Sequence, residues 1–390
     1  MPKNIVICCD GTGNEFGNEN SNIVKLYSTL VINESQIGYY HPGVGTMGSP
    51  TARNNSEKQW DRLKGMAFGY GLSSNISDAY RYLMNTYADG DRVFIFGFSR
   101  GAYTARALAG VLHMYGLLCP GNEGLIPYVV RMFSARSREA GGLTPTLTVA
   151  HNFKNTFSRA CPLHFLGLWD TVSSIGWIYD PVVLPYSTRN PGVRTVRHAL
   201  SLHERRCYFR PNLWGQPFDG QDVKQVWFTG VHSDIGGSYS EETSQLSKVT
   251  LEWMLVEASQ SNLQIDPSKA NVVLGREHPP EGWMPQYTQP NPEAEMHDSL
   301  TGIWKLVEYL PHRYIDESSG KPVARYSIPR GRLRQIPKGA TIYAWAAKRL
   351  RDSEPNRLPK QYLEEPPVRF PGANPSAADS IPPEGLLLKA

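Results

Sequence analysis

The stretch Arg92-Val-Phe-Ile-Phe-Gly-Phe-Ser-Arg-Gly-Ala-Tyr-Thr-Ala-Arg-Ala-Leu-Ala-Gly-Val-Leu112 decides how the rest of the chain is read. Val93 to Phe96 is an apolar run of aromatic and β-branched residues and predicts a buried strand. Small residues at Ala102, Ala105 and Ala109, with larger ones at Leu108 and Leu112, predict a helix after it. Between them stands Gly97-Phe-Ser-Arg-Gly101, a Gly-x-Ser-x-Gly turn in the strand–helix context of a nucleophile elbow. The sharp turn strains the Ser99 backbone, and glycines at 97 and 101 remove side chains that would collide there. The Ser99 hydroxyl then projects at the carboxyl edge of a sheet, beside a helix N-terminus whose field favours negative charge. The competing reading is a plain strand–turn–helix with Ser99 as N-cap.

Upstream, Ile5 to Asp10 predicts a first strand, ending in the Gly-rich turn Asp10-Gly-Thr-Gly-Asn14. Ser21 to Tyr27 predicts a capped helix, Ile37 to His41 a second strand, and Asn75 to Tyr87 an amphipathic helix. The order is β-α-β-α-β-α, which favours a largely parallel sheet. The Gly-rich turn sits where open α/β sheets bind ligands. It lacks the ending of a Walker loop and the third glycine of a dinucleotide fingerprint. Three uses remain open for Gly11, Thr12 and Gly13: a phosphate cradle, half of an oxyanion hole, or a simple tight turn.

Downstream, residues 113–160 read as an excursion, with an amphipathic piece from Leu125 to Phe133 and a loop from Gly141 to Thr148. Leu163 to Trp169 predicts a strand ending in Asp170, an acid that needs hydrogen bonds if buried there. Val193 to Arg210 has a helical pattern crowded with arginines. Val223 to Phe228 predicts a strand, followed by Thr229-Gly-Val-His-Ser-Asp-Ile-Gly-Gly237 and a helix from Leu246 to Ala258. Ser99, Asp170 and His232 thus follow the chain order of α/β-hydrolase triads. A serine hydroxyl needs an imidazole to take its proton, and the imidazole needs a carboxylate to fix its tautomer. Asp234 and Asp10 are rival acids. His41, His164, His198 and His203 are rival bases; 164 falls within a strand pattern and 198 and 203 within the helical one.

The chain has 390 residues, 40% hydrophobic and 19% charged, with a net charge of +4. That suits one large α/β domain with insertions or two modest domains, tolerates an anionic membrane surface and is too weakly basic for nucleic acid. The five cysteines follow no metal spacing and read as reduced, mostly buried thiols. The N-terminus enters a strand with no signal peptide, and no apolar run reaches membrane-spanning length. This predicts a cytoplasmic protein, or one exported without a cleaved leader. The expected division is a core over 1–262, a cap or side insertion with a last helix over 263–350, and a Pro-rich tail over 351–390.

The chain resembles the DUF2235 family of α/β-hydrolase-like proteins, which includes the Tle1-type phospholipase effectors of bacterial type VI secretion. The resemblance rests on Cys9-Asp-Gly-Thr-Gly-Asn14, His41-Pro-Gly-Val-Gly-Thr46, Gly97-Phe-Ser-Arg-Gly-Ala-Tyr103, Gly167-Leu-Trp-Asp-Thr-Val172 and Gly230-Val-His-Ser-Asp-Ile-Gly-Gly237. These pieces lie in the family's order and cover about residues 4–260. The resemblance implies a Ser99–Asp170–His232 esterase acting on ester lipids. Two departures stand out. The family usually carries an acid where His203 stands, and Ile342 to Arg349 looks like its last helix without the histidine that often precedes it.

Together these readings predict an α/β-hydrolase-like, doubly wound, mostly parallel sheet with cap insertions, carrying a serine esterase. The oxyanion donors expected are the N–H of Arg100 and one from the Gly11–Gly13 turn. No cofactor and no metal is expected. The partners expected are a small-molecule or lipid ester, a peripheral membrane contact and a secretion or immunity protein. The alternatives are a hydrolase-fold binding module, or a metal-dependent phosphate-ester hydrolase built on Asp10.

Overall fold

The computed structural model describes residues 2–11, 17, 19–43, 70–136, 143–172, 184–279, 286–315 and 322–371. In chain order the strands are β1 Asn4–Cys9, β2 Gln36–His41, β3 Arg92–Phe98, β4 Leu117–Leu118, β5 Ser158–Arg159, β6 Leu163–Trp169, β7 Val193–Ser201, β8 Asp222–Phe228, β9 His312–Ile315, β10 Pro322–Ser327, β11 Thr341–Tyr343 and β12 Leu363–Glu365. Eight of them form one sheet in the order β2-β1-β3-β6-β7-β8-β11-β12. Every pair in it is parallel. β4 with β5 and β9 with β10 form two small antiparallel pairs.

Helices cover both faces, which is why β1 and β3 read as near-continuous apolar runs. In β1, Ile5 and Ile7 join one core with residues of the helices Tyr70–Thr86 and Arg100–Tyr115, while Val6 and Cys8 join the other with residues of the helices Asn22–Thr29 and Gln245–Gln260. Strand order reverses between β1 and β3, since β2 lies on one side and all later strands on the other. A crevice opens outside the carboxyl ends at such a reversal. Asp10 follows β1 and Ser99 follows β3, so the reversal brings both to one rim. The sheet is the doubly wound parallel arrangement expected.

Three local expectations differ. Residues 193–210 are not helical: they form β7 and a short 3-10 turn, Cys207–Phe209. β7 pairs with β6 and β8 at its two edges and is buried on both faces at all but one of its residues, so the alternation that marks a strand is lost. Its Arg197 is buried against Glu257 and Asp222. Residues 143–148, expected in a loop, begin the helix Leu143–Phe157, whose Ala150 and Phe153 are buried. A proline at 145 is tolerated in a first turn. Ile342 and Tyr343 belong to β11, and the helix starts only at Ala344. The Pro-rich stretch after 351 contributes β12 and the buried Phe370; residues 372–390 lie outside the described residues. All five cysteines are free. Among the described residues no helix is long and apolar enough to cross a membrane.

Candidate active site

Ser99 joins β3 to the helix Arg100–Tyr115 with φ 58° and ψ −121°, a left-handed region costly for a side-chain-bearing residue. It is held there from both sides. Its N–H donates to the Trp169 carbonyl at 3.1 Å, continuing the β3–β6 ladder into the turn. A Cβ on Gly97 would stand 2.5 Å from Ala102 Cα, and one on Gly101 would meet the Asp10 carbonyl oxygen at 2.5 Å. Both glycines are therefore required by the close passage of the backbone there. Ser99 makes no N-cap hydrogen bond through its side chain, against the plain N-cap reading.

Asp170 follows β6 and also has positive φ, 37°. Its N–H donates to the Ala199 carbonyl at 2.8 Å, and its Oδ1 accepts from the Ser201 N–H at 3.0 Å. Oδ2 accepts from Nδ1 of His232 at 2.6 Å. Because the carboxylate can only accept, the imidazole proton sits on Nδ1 and leaves Nε2 as the acceptor. His232 opens the short helix His232–Gly236, with its ring stacked on Phe98 at 4.8 Å and edge-on to Phe209 at 4.8 Å. Nε2 is buried and has no hydrogen-bond partner, so no bond to Ser99 Oγ is formed in this structure. Catalytic hydrogen bonds of this kind commonly tighten only when substrate binds.

Two residues that sequence reasoning did not assign complete the surroundings. Arg334 is 2% exposed and grips Asp170 bidentately, Nη1 to Oδ1 at 2.5 Å and Nη2 to Oδ2 at 3.0 Å. Its fork also donates to the carbonyls of Ser201 and Phe209. Burial by itself would raise the Asp170 pKa, but the Arg334 charge, then the His232 hydrogen bond, hold it well below the usual carboxylate range. Glu204 accepts from the His232 backbone N–H at 3.1 Å and from the N–H and guanidinium of Arg206. Burial opposes its charge, yet Arg206 leads the effects that lower its pKa to about 2. The buried acid of this stretch is thus residue 204, next to His203. An acid before two arginines was a legible signal. Nothing local marks Arg334.

The rivals stand elsewhere. Asp234 accepts from His297 Nδ1 at 2.6 Å and from the Val231 N–H at 2.9 Å, and does not reach His232 through a hydrogen bond. Asp10 accepts from Ser21 Oγ, Tyr40 Oη and the Gly11 N–H. That last bond, 2.6 Å, engages the Gly11 N–H that was a candidate oxyanion donor. Thr12 and Gly13 lie outside the described residues. His198 lies on β7, not on a helix, against Arg106 and the Thr171 N–H. His203 lies in the turn after β7, where it accepts from the Gly230 N–H. His164 meets the Ser261 carbonyl and His41 the Pro42 carbonyl. Among the described residues no three or more His, Cys, Asp or Glu gather as metal ligands.

A doubly wound parallel sheet with a strained serine at its elbow, and an Asp–His pair beyond the adjacent strands, defines an α/β-hydrolase-like protein. Residues 3–257 match the family described as the T6SS phospholipase effector Tle1-like catalytic domain, and the chain belongs to that family. It is 38% identical over 219 residues to an uncharacterized protein of Saccharomyces cerevisiae, a match spanning 53% of this chain and 32% of that one. An uncharacterized protein from Pseudomonas aeruginosa of known structure is similar over 68% of this chain and 47% of its own, with 17% identity and a TM-score of 0.41. The Tle1 effector, solved bound to the VgrG spike of the type 6 secretion system, is similar over 63% and 53%, with 21% identity and a TM-score of 0.34. The matches span about a third of the yeast protein and about half of each of these structures.

Proposed function

We propose that the chain is a serine hydrolase that cleaves carboxylic esters of lipids. The observation that carries this reading is the His232 imidazole: oriented by Asp170, neutral at Nε2, and without a partner there. Membership of a phospholipase effector family supports the lipid substrate class. In the mechanism, Ser99 Oγ attacks the ester carbonyl as its proton passes to His232 Nε2. The oxyanion is held by the Arg100 N–H and a second N–H from the Gly-rich turn. With Gly11 engaged by Asp10, that second donor is Thr12 or Gly13. The protonated His232 gives its proton to the leaving alcohol, and an acyl-enzyme remains. Water then repeats the sequence and releases the acid. The steps use side chains and backbone of this chain alone. The effector family also extends the proposal to export and to a secretion-system or immunity partner.

A fluorophosphonate probe tests the reading directly. Covalent labelling at Ser99, lost in Ser99→Ala and accompanied by hydrolysis of acyl esters, is expected. The absent Ser99–His232 hydrogen bond favours one competitor, a binding module on a hydrolase fold with weak or lost catalysis. Folded protein that neither labels nor hydrolyses any ester would establish that competitor.

A further inference from the structure

Among the described residues, ten large apolar side chains are exposed, and five of them fall between 306 and 328: Leu306, Tyr309, Leu310, Tyr326 and Ile328. Leu306 is 72% exposed and Tyr326 59%. They belong to one structural unit. Leu306 lies on the helix Ile303–Val307, Tyr309 and Leu310 just after it, and Tyr326 on the β9–β10 hairpin. The Arg330 N–H donates to the Glu308 carbonyl, and the Gly331 N–H to the buried Glu308 carboxylate, which ties the end of the hairpin to the end of the helix. A concentration of exposed apolar residues on one unit marks a surface meant to be covered.

The charge of the unit says by what. Residues 303–332, which leave out the Arg334 buried against Asp170, hold six Lys and Arg against three Asp and Glu, a net +3. Lys305, Arg330 and Arg332 are exposed beside the apolar group. Apolar side chains rimmed by cations suit an interface with anionic headgroups. Position adds to this. Trp304, on the same helix, packs edge-on to Phe209 at 5.6 Å, and Phe209 packs on His232. One aromatic layer therefore separates this face from the candidate base.

We propose that the helix Ile303–Val307 and the β9–β10 hairpin form a docking face for an anionic lipid surface, from which ester lipids pass to the candidate site. The inference deepens the lipid-hydrolase reading and rests on it for the identity of what is passed. Binding to the surface itself does not depend on turnover.

The test uses the full chain with Ser99→Ala, so that vesicles stay intact, sedimented with vesicles of mixed phosphatidylglycerol and phosphatidylcholine or of phosphatidylcholine alone. The chain sediments with the anionic vesicles, and adding Leu306→Glu with Tyr326→Glu lowers partition by roughly tenfold. Lys305→Gln with Arg330→Gln and Arg332→Gln lowers it on anionic vesicles alone, as does about 0.5 M salt acting on the otherwise unmodified chain. The salt measurement holds even where a variant melts early. With Ser99 restored, the Leu306→Glu, Tyr326→Glu pair reduces hydrolysis of vesicle lipid and leaves that of a soluble short-chain ester unchanged. A chain that stays in the supernatant with both vesicle types overturns the proposal and points to a protein or a second copy as the cover. Unchanged partition of the Glu pair overturns it as well. If the soluble ester is never hydrolysed while partition follows the expected pattern, the hydrolase reading fails and the docking face stands.

Discussion

The molecule holds two Asp–His pairs with the same contact and different surroundings. In each, an imidazole Nδ1 stands 2.6 Å from a carboxylate, Asp170 with His232 and Asp234 with His297. In the first, the imidazole is 5% exposed and its Nε2 has no partner. In the second, it is 25% exposed, lies flat on Tyr239 at 3.7 Å, and its Nε2 meets Thr243 Oγ1 at 3.2 Å. The acids differ in sign. Burial raises the Asp234 pKa, only partly offset by the Val231 N–H and His297, whereas Asp170 is lowered because Arg334 stands against it. A short Asp–His contact is thus not by itself a base. What sets the first pair apart is the Arg334 cation against its carboxylate and a buried imidazole Nε2 with no hydrogen-bond partner, both supplied by the surroundings.

The comparison breaks most visibly at the first pair. Ser99→Ala, His232→Ala and Asp170→Asn should each reduce kcat on a soluble ester by about 10^4-fold or more. A loss below about tenfold in a variant that melts normally would remove that residue from the mechanism.

Arg334→Met should have an intermediate effect, since Arg334 is a positioning residue that acts through Asp170. Leaving a buried carboxylate without its cation costs about 3–5 kcal/mol, read as a lower melting temperature. We expect kcat to fall by about 10–100-fold through a displaced base. The pH profile separates positioning from mere stability. Burial, the largest influence, lowers the His232 pKa below its ordinary 6.5, with Asp170 partly opposing it. The candidate base should therefore be neutral at pH 7, and kcat/KM in the wild-type chain should fall only as pH drops through a value under 6.5. Removing the nearby cation favours imidazolium, so the acid limb in Arg334→Met should move to higher pH, and Arg334→Lys should return it part of the way. An unmoved limb would confine Arg334 to stability.

The smallest effect is expected at the second pair. His297→Ala and Asp234→Asn should change kcat by less than about threefold and cost about 1–3 kcal/mol in unfolding experiments, from the lost buried hydrogen bonds. A loss of a hundredfold or more in kcat would make the two pairs one system.

Much of this was legible before any coordinates. The Gly97–Gly101 elbow, the strand ending in Asp170 and the strand preceding His232 are local patterns, set by side-chain size and backbone freedom at single turns. β7 was not legible, because a central strand covered on both faces loses its period of two, and arginines in it look like a solvated helix. β11 and β12 were hidden by being three residues long and far from the sheet they join. Their pairing is non-local, and short strands carry too few residues to show a pattern.

The residue types and their spacing already put forward a candidate alcohol, imidazole and acid, because each stands at a turn whose pattern is contained in a few neighbouring residues. Which charge faces Asp170, and which of two Asp–His pairs keeps a vacant nitrogen, came only with folding. Arg334 reaches Asp170 across the whole later part of the chain, and electrostatic strength depends on distance and burial in space, neither of which is written in order along a sequence.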